Sequence, residues 1–421
     1  MKPKILSTLP GYTRAQLLSD LFAGITVAMV AIPLSLAIAI ASGAGPAEGL
    51  VTAIVGGFLV SLLGGSRVQI GGPTGAFIVV VFGVIAAHGY DGLVTATFMA
   101  GIILLLAGWL RVGNLVAYVP EPVIHGFTLG IAAIIALSQL KDLLGLDPAE
   151  NPADTVEKVA ALWEARDTFD WRSLAIGLVA GGLILALRNL LPRRWPSLVI
   201  AVALASALAA IPALSVDTIG SRFGALPNTL PAPRLPDLSP ARLQELLPAA
   251  VTIAFLAGIE SLLSAVVADR MIGGRHRPRA EVVAQGAANL ASSLFAGLPV
   301  TGAIARTATN VRSGGRTPVA GIVHAVVILA VMLVAAPLAA GLALPAMAAV
   351  LIITAWNMAE PEKWRGMLAL PATDKALVAL TFALTLLVDL TVAIAVGVAV
   401  GLALRLRAGK LGPEAQDPRD H

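Results

Sequence analysis

Cysteine is absent from the chain, and charge is scarce: Asp, Glu, Lys and Arg together make up 13% of its 421 residues. Without cysteine there is no disulfide framework, no thiol nucleophile and no cysteine-ligated zinc or iron–sulfur centre. Soluble domains carry about a quarter charged residues, so a chain with this little charge cannot clothe a water-facing surface. The spans defined below also hold no Ser/His pair, carboxylate pair or metal-ligand cluster, so an enzyme is not expected.

What the chain has is apolar sequence. It is 57% hydrophobic, with a mean hydropathy of +0.86. A membrane-spanning helix needs about 20 apolar residues. Apolar runs fall at 21–42, 49–65, 74–88, 92–110, 122–140, 173–191, 196–212, 246–268, 280–296, 302–311, 318–336, 339–356, 373–388 and 390–405. The class is therefore an all-α polytopic membrane protein with 14 spans. The first run follows Lys2, Lys4 and Arg14, yet it is too long for a secretory signal core of about 7–15 residues.

The net charge of +4 matters by position rather than as a nucleic-acid patch. With the N-terminus inside, the outside Lys and Arg are Lys141, Lys158, Arg166, Arg172, Arg222, Arg234 and Arg242, all in two long loops. The short outside turns carry none, while inside turns such as Arg275–Arg279 are rich in them. That bias places both termini in the cytoplasm of a cell with the protein in its inner membrane. The expected segments are a cytoplasmic stretch (1–19), spans 1–5 (20–140), an external loop (141–172) and spans 6–7 (173–212). A Pro-rich external linker (213–245), spans 8–14 (246–406) and a cytoplasmic tail (407–421) complete the chain. Val156–Ala165 is amphipathic and predicts a short surface helix in the first loop.

The chain repeats itself. Thr74-Gly75-Ala76 recurs as Thr301-Gly302-Ala303, 227 residues on, and Thr26, Ala28, Ala31, Ser35 and Leu36 fall on Thr252, Ala254, Ala257, Ser261 and Leu262 at almost the same offset. Seven spans per copy is an odd number, so the second copy is inverted in the membrane. Both copies interrupt a span with Gly and Pro: VQIGGPTGAF at 68–77 and AGLPVTGAIAR at 296–306. Broken segments at matching positions of inverted repeats point to a transporter's substrate site. Each half-helix, read as starting at Thr-Gly-Ala, presents unpaired N–H groups and a positive dipole end, which suits an anion.

Two charges lie at membrane depth, where they are costly unless paired or facing a cavity. Arg306 sits one turn into the second half-helix and would add positive potential at the anion. Glu260 sits in the eighth span; Arg306 is its expected partner. Ser264, one turn further on the same face, would join Glu260 at an ion-coupling site for a proton or sodium ion. Asp389 is expected to cap the last helix, His125 and His324 are lone histidines with no metal role, and Asp269 with Arg270 reads as a surface pair.

The stretches DLFAGITVAMVAIP (20–33), GGPTGAF (71–77), PVIHGFTLGI (122–131) and TGAIARTATNVRSGGRT (301–317) resemble the sulfate permease (SulP) family. The resemblance covers about 12–407. It implies a seven-plus-seven inverted-repeat fold, with a core domain (spans one to four and eight to eleven) moving like an elevator against a gate domain that mediates homodimer contacts. It implies that the anion is lined by Pro33, Leu34, Ile38, Thr74, Gly75, Ala76, Phe77, Thr301, Gly302, Ala303, Ile304, Ala305 and Arg306. Many relatives carry Gln or Glu where Leu34 stands. Typical members also end in a cytoplasmic STAS domain, and a short member without one is expected. In sodium-driven bicarbonate carriers the positions of Glu260 and Arg306 hold Asp and Gly, so this chain looks more like proton-coupled members. The expectation is a secondary transporter of sulfate, bicarbonate or a dicarboxylate, with no cofactor beyond its coupling ion. The alternatives are a sodium-coupled bicarbonate symporter, an uncoupled anion channel and a nucleobase permease of the same fold.

Overall fold

The computed structural model describes residues 2–110, 120–191, 196–388 and 390–407. Asp389 lies outside the described residues. A short helix α1 (Ile5–Thr8) precedes α2 (Arg14–Ala41), which Thr13 and Gln16 start with a reciprocal capping box. Helices α3 (Pro46–Val51) and α4 (Gly57–Leu63) form one span joined by a π-turn at Thr52–Gly56. Strand β1 (Gly71–Gly72) leads to α5 (Phe77–Trp109), which is two spans, because Gly89 breaks it at φ 72°, ψ 176°. Next come α6 (Glu121–Leu144), the surface helix α7 (Thr155–Glu164), α8 (Trp171–Leu190), α9 (Ser197–Ala209) and α10 (Ile219–Phe223).

The second copy begins with α11 (Pro240–Ile272) and α12 (Pro278–Leu294), each opened by a proline whose missing N–H costs nothing there. Strand β2 (Thr301–Gly302) and α13 (Ile304–Arg312) follow, then α14 (Val319–Ala340), α15 (Leu344–Met358), α16 (Trp364–Leu368), α17 (Ala372–Leu387) and α18 (Leu390–Arg407). Each of the 14 expected spans has a helical counterpart. Among the described residues eight helical segments, α3–α4 and α15–α16 each counted as one, are long and apolar enough to cross a membrane, and two shorter apolar ones accompany them.

Burial shows which solvent these helices face. The most apolar window, in α14, is only 39% buried, and Val334 and Leu338 stand 83% and 79% exposed. Water would not tolerate such a face, whereas lipid does. Packing divides the helices into two bodies. One holds α2–α5 and α11–α14, where α5 packs on α11 and α12, and α14 on α2. The other holds α6, α8, α9, α15, α17 and α18, and α2 forms most of the contact between the two. These are the expected core and gate.

Two expectations on this part need correction. The stretch 213–245 is not a plain linker: α10 lies within it, Thr218 bridges to Ala343, and α11 already starts at Pro240. Ile219 N donates to Leu342 O (2.9 Å), and Leu344 N to Asp217 O (2.9 Å). The linker's backbone finds partners in the α14–α15 turn, which an isolated linker lacks. Asp269 accepts from the His276 backbone (2.7 Å) and ring (2.6 Å) rather than pairing with Arg270, because the α11–α12 turn folds back over it.

The core is pinned by a carboxylate at the start of the chain. Asp20 is fully buried and accepts from Tyr12 Oη (2.9 Å), Arg316 N (2.7 Å), Thr317 N (3.2 Å) and Thr317 Oγ1 (2.5 Å). It thus ties α2 to the turn after α13. Asp20→Ala leaves those donors buried and unpaired, at a cost on the order of 3 kcal/mol. Thermal unfolding in detergent should show a clear drop in midpoint for Asp20→Ala and none for the exposed Glu164→Ala.

Outside the membrane, α7 lays Lys158 over the Phe82 ring, 4.4 Å from its centroid. Burial, with Lys141 nearby, pushes the Lys158 ammonium down to about 8. Between that value and its ordinary 10.5 the unfolded chain holds more protons than the native one, so stability rises with pH across that window. Unfolding midpoints taken from pH 8 to pH 10 should rise for the native protein, and less so for Lys158→Met.

Candidate functional site

The centre of the core is a crossing of two chain segments. Strands β1 and β2 pair antiparallel, with Gly71 opposite Gly302 and Gly72 opposite Thr301. Ala303 N donates to Ile70 O (2.8 Å), and Ile70 N to Thr307 Oγ1 (3.1 Å). Backbone at membrane depth must find its partners within the protein, and each broken segment supplies them to the other. The pairing also moves the helix starts: α5 begins at Phe77 and α13 at Ile304, each three residues after the expected starts at Thr74 and Thr301, because the residues before them are spent on the strands and the turn. Phe77 N and Ile78 N bond back to Thr74 O and Gly75 O in that turn.

Two glycines make the crossing possible. Gly72 has φ 154°, and a Cβ there would overlap the guanidinium of Arg306; a Cβ on Gly302 would overlap the side-chain amide of Gln69. Gly75 faces the gate instead: a Cβ would lie 3.3 Å from Ile135 of α6 and from Met358 of α15. The end of the first half-helix therefore sits at the seam between core and gate.

The charged residues do not pair as expected. Thr74 Oγ1 donates to Glu260 Oε2 at 2.8 Å, which joins the first half-helix to α11. Arg306 is 1% exposed and donates from Nη2 to Ser35 Oγ of α2 at 3.0 Å. Among the described residues its Nε and Nη1 have no hydrogen-bond partner, and no ion pair joins it to Glu260. The reason is helical phase. In the first turn of α13, Ile304 and Ala305 are exposed and Arg306 is directed inward, against α2 and Gly72. Ser264 is likewise drawn away from Glu260: its hydroxyl lies 3.3 Å from Thr307 Oγ1, fully buried between α11 and α13.

The other expected lining residues lie on α2 and at the two half-helix starts. Leu34 and Ile38 are buried on α2 beside Pro33, and Ala76, Phe77 and Ala303 are buried at the half-helix starts. Thr301 is fully buried and donates to Ala257 O (2.9 Å), so its hydroxyl serves the fold. Ile304 is 44% exposed. His125 is not a lone residue: Glu121 lies 3.4 Å and Glu360 3.9 Å from its ring. His324 is fully buried, with neither ring nitrogen bonded among the described residues.

Sequence reasoning passed over the polar residues under the crossing. Gln69, Ser261, Glu281, Gln285, Asn289 and Asn310 are all buried there. One signal was readable: Glu281, Gln285 and Asn289 recur every fourth residue within an apolar run, which puts three polar groups on one helical face.

This geometry has known counterparts. The family model described as "Sulfate permease family" matches residues 17–381. A putative sulfate transporter of Bacillus subtilis, YvdB, is 42% identical over 374 residues, covering 89% of this chain and 70% of that protein. The chain belongs to the sulfate permease family. The bicarbonate transporter BicA of a Picosynechococcus strain is 34% identical, over 79% of this chain and 60% of BicA. The chain thus spans between three fifths and three quarters of the length of these relatives. The solved transmembrane domain of a cyanobacterial BicA superposes with a TM-score of 0.80 at 32% identity, covering 91% of this chain and 98% of that one. SLC26A9 shares the fold, with a TM-score of 0.87 at 18% identity, over 96% of this chain and 68% of that chain. The protein is a multi-pass membrane protein with the inverted-repeat fold of this transporter family, and family members are transporters rather than enzymes.

The glycine crossing makes a sharp demand. Gly302→Ala should fold but weaken anion binding by about tenfold or more, since overpacking costs about 1–3 kcal/mol. Isothermal titration of the purified protein with sulfate and bicarbonate would measure it.

Proposed function

We propose that this protein is a secondary active transporter of a small anion, driven by protons, in which the core rides against the gate. The observation that carries the reading is Arg306: a buried guanidinium beside the crossing of two half-helices, with two of its nitrogens unmatched by any carboxylate. An anion arriving at the half-helix starts would meet positive dipole ends and this charge together. Thr74–Phe77, Ala303–Arg306, Pro33, Leu34 and Ile38 would line it. The named activities of the relatives support sulfate or bicarbonate as substrate, and a dicarboxylate shares their chemistry.

The proton's place in this reading is Glu260. An ion pair with Arg306 cannot be its means of coupling, since the two do not pair. Instead, Glu260 accepts from Thr74 at the mouth of the site. Protonation would remove a negative charge from the anion's neighbourhood and free Thr74 to turn toward the ligand, so proton and anion would load together. Ser264 is committed to Thr307, which supports a proton over a sodium ion as the coupling ion. Seating in the inner membrane, with both termini cytoplasmic and gate-to-gate homodimers, completes the proposal.

Uptake of labelled sulfate, bicarbonate and fumarate into proteoliposomes tests it, under an inward proton gradient, a sodium gradient or neither. Accumulation of one anion under the proton gradient is expected. In Glu260→Gln, that accumulation should fall to the level seen without a gradient while counterflow exchange persists. Uptake driven by sodium alone, or full proton-driven uptake in Glu260→Gln, would overturn the coupling. Competition by uracil or xanthine would point to a nucleobase instead.

A further inference from the structure

The two strands at the centre are too short to set their own register: each contributes two residues, and three of the four positions are glycine. Something else must hold them. Helix α12 touches both approaches from beneath with one polar face. Glu281, fully buried, accepts from Gly65 N (2.8 Å) and Ser66 N (3.2 Å) through Oε2. Its Oε1 accepts from Gln69 Nε2 (3.0 Å), Ser261 Oγ (3.0 Å) and Gln285 Nε2 (3.1 Å). Gln69 also donates to Ser261 (2.8 Å), as does Gln285 (2.8 Å).

Two turns along the same face, Asn289 grips the approach to the other strand. Its Nδ2 donates to Val300 O (2.8 Å), and its Oδ1 accepts from Val300 N (2.9 Å). The segment before β1 and the segment before β2 are thus held by one rigid helix. The link to the site is direct. The side-chain amide of Gln69 lies where a Gly302 side chain would be, directly before the start of α13.

We propose that Glu281 is a positioning residue for the anion site: with Gln285 and Asn289 it makes α12 a jig that sets the register of the two half-helices, acting through Gln69. All five of its partners donate, so the site calls for a carboxylate that only accepts. Glutamine would turn an N–H₂ toward donors. The proposal rests on the anion-transport reading for its kinetic consequence but not for its structural one.

The test is a double-mutant cycle of Glu281→Gln, Gln69→Ala and the pair, read by uptake kinetics and by amide hydrogen exchange on purified protein. Losing a hydrogen bond to a charged group is worth about tenfold or more. Each single change should raise KM by about that factor while kcat moves much less, because a misaligned half-helix binds the anion poorly but the core still travels. The double variant should be no worse than the more severe single one, as for residues that act as a unit. Exchange should rise in peptides covering 64–73 and 298–303 and stay unchanged in α8. If Glu281→Gln does not yield folded protein, Gln69→Ala alone carries both readouts, with exchange expected to rise in 298–303. Multiplying effects, a loss in kcat alone, or unchanged exchange at the strands would overturn the proposal. If the unmodified protein transports none of the anions, the functional reading fails, and hydrogen exchange still decides the role of Glu281.

Discussion

Backbone N–H and C=O groups inside a membrane have no water to bond. Everything distinctive about this protein follows from how it meets that constraint at two broken spans. A single broken span would leave its extended residues orphaned. Two of them, arriving from opposite sides, satisfy each other: Gly71–Gly72 pairs with Thr301–Gly302, and Ile70 exchanges bonds with Ala303 and Thr307. The inverted repeat is therefore the means by which irregular backbone survives at that depth. The same crossing brings the starts of α5 and α13 to the two ends of one strand pair.

Close backbone crossing selects glycine and drives polar side chains underneath. Gly72 gives room to Arg306, and Gly302 to Gln69. Below them lies a buried polar layer in which nearly every donor has an acceptor. Glu281 is the carboxylate of that layer, and Asp20 is a second buried carboxylate at the start of α2. Each is surrounded by donors rather than by a cation, and each reaches across to the other repeat: Asp20 to the turn after α13, Glu281 to the turn before β1. Buried carboxylates satisfied in this way cost much to disturb, which stiffens the core. Arg306 is the exception. Its Nε and Nη1 are unmatched among the described residues, and in the proposed reading that uncompensated charge is what an anion would meet.

The seam between core and gate is built differently. It is thin, runs mainly along α2, and is apolar where Gly75 meets Ile135 and Met358. Apolar contact has no direction, so sliding along such a seam breaks few specific bonds. That contrast, hydrogen-bonded within the core and apolar at its edge, is what the proposed movement of core against gate would use.

Composition and pattern alone determined the membrane class, the spans and the inverted repeat. Apolar length is a local property, and a repeat is written twice in the chain. The broken segments were legible for the same reason, since Gly and Pro mark them whatever the surroundings. Arg306 and Glu260 were legible as candidate site residues, because charges stand out in apolar runs. Their partners were not. Helical phase after an unforeseen strand pairing turned Arg306 toward Ser35, gave Glu260 to Thr74, and gave Ser264 to Thr307. The role of Glu281 was equally hidden, since three of its five partners lie more than 200 residues away in sequence. Which polar groups meet depends on the rotation and depth of each helix, and only the packed structure decides those.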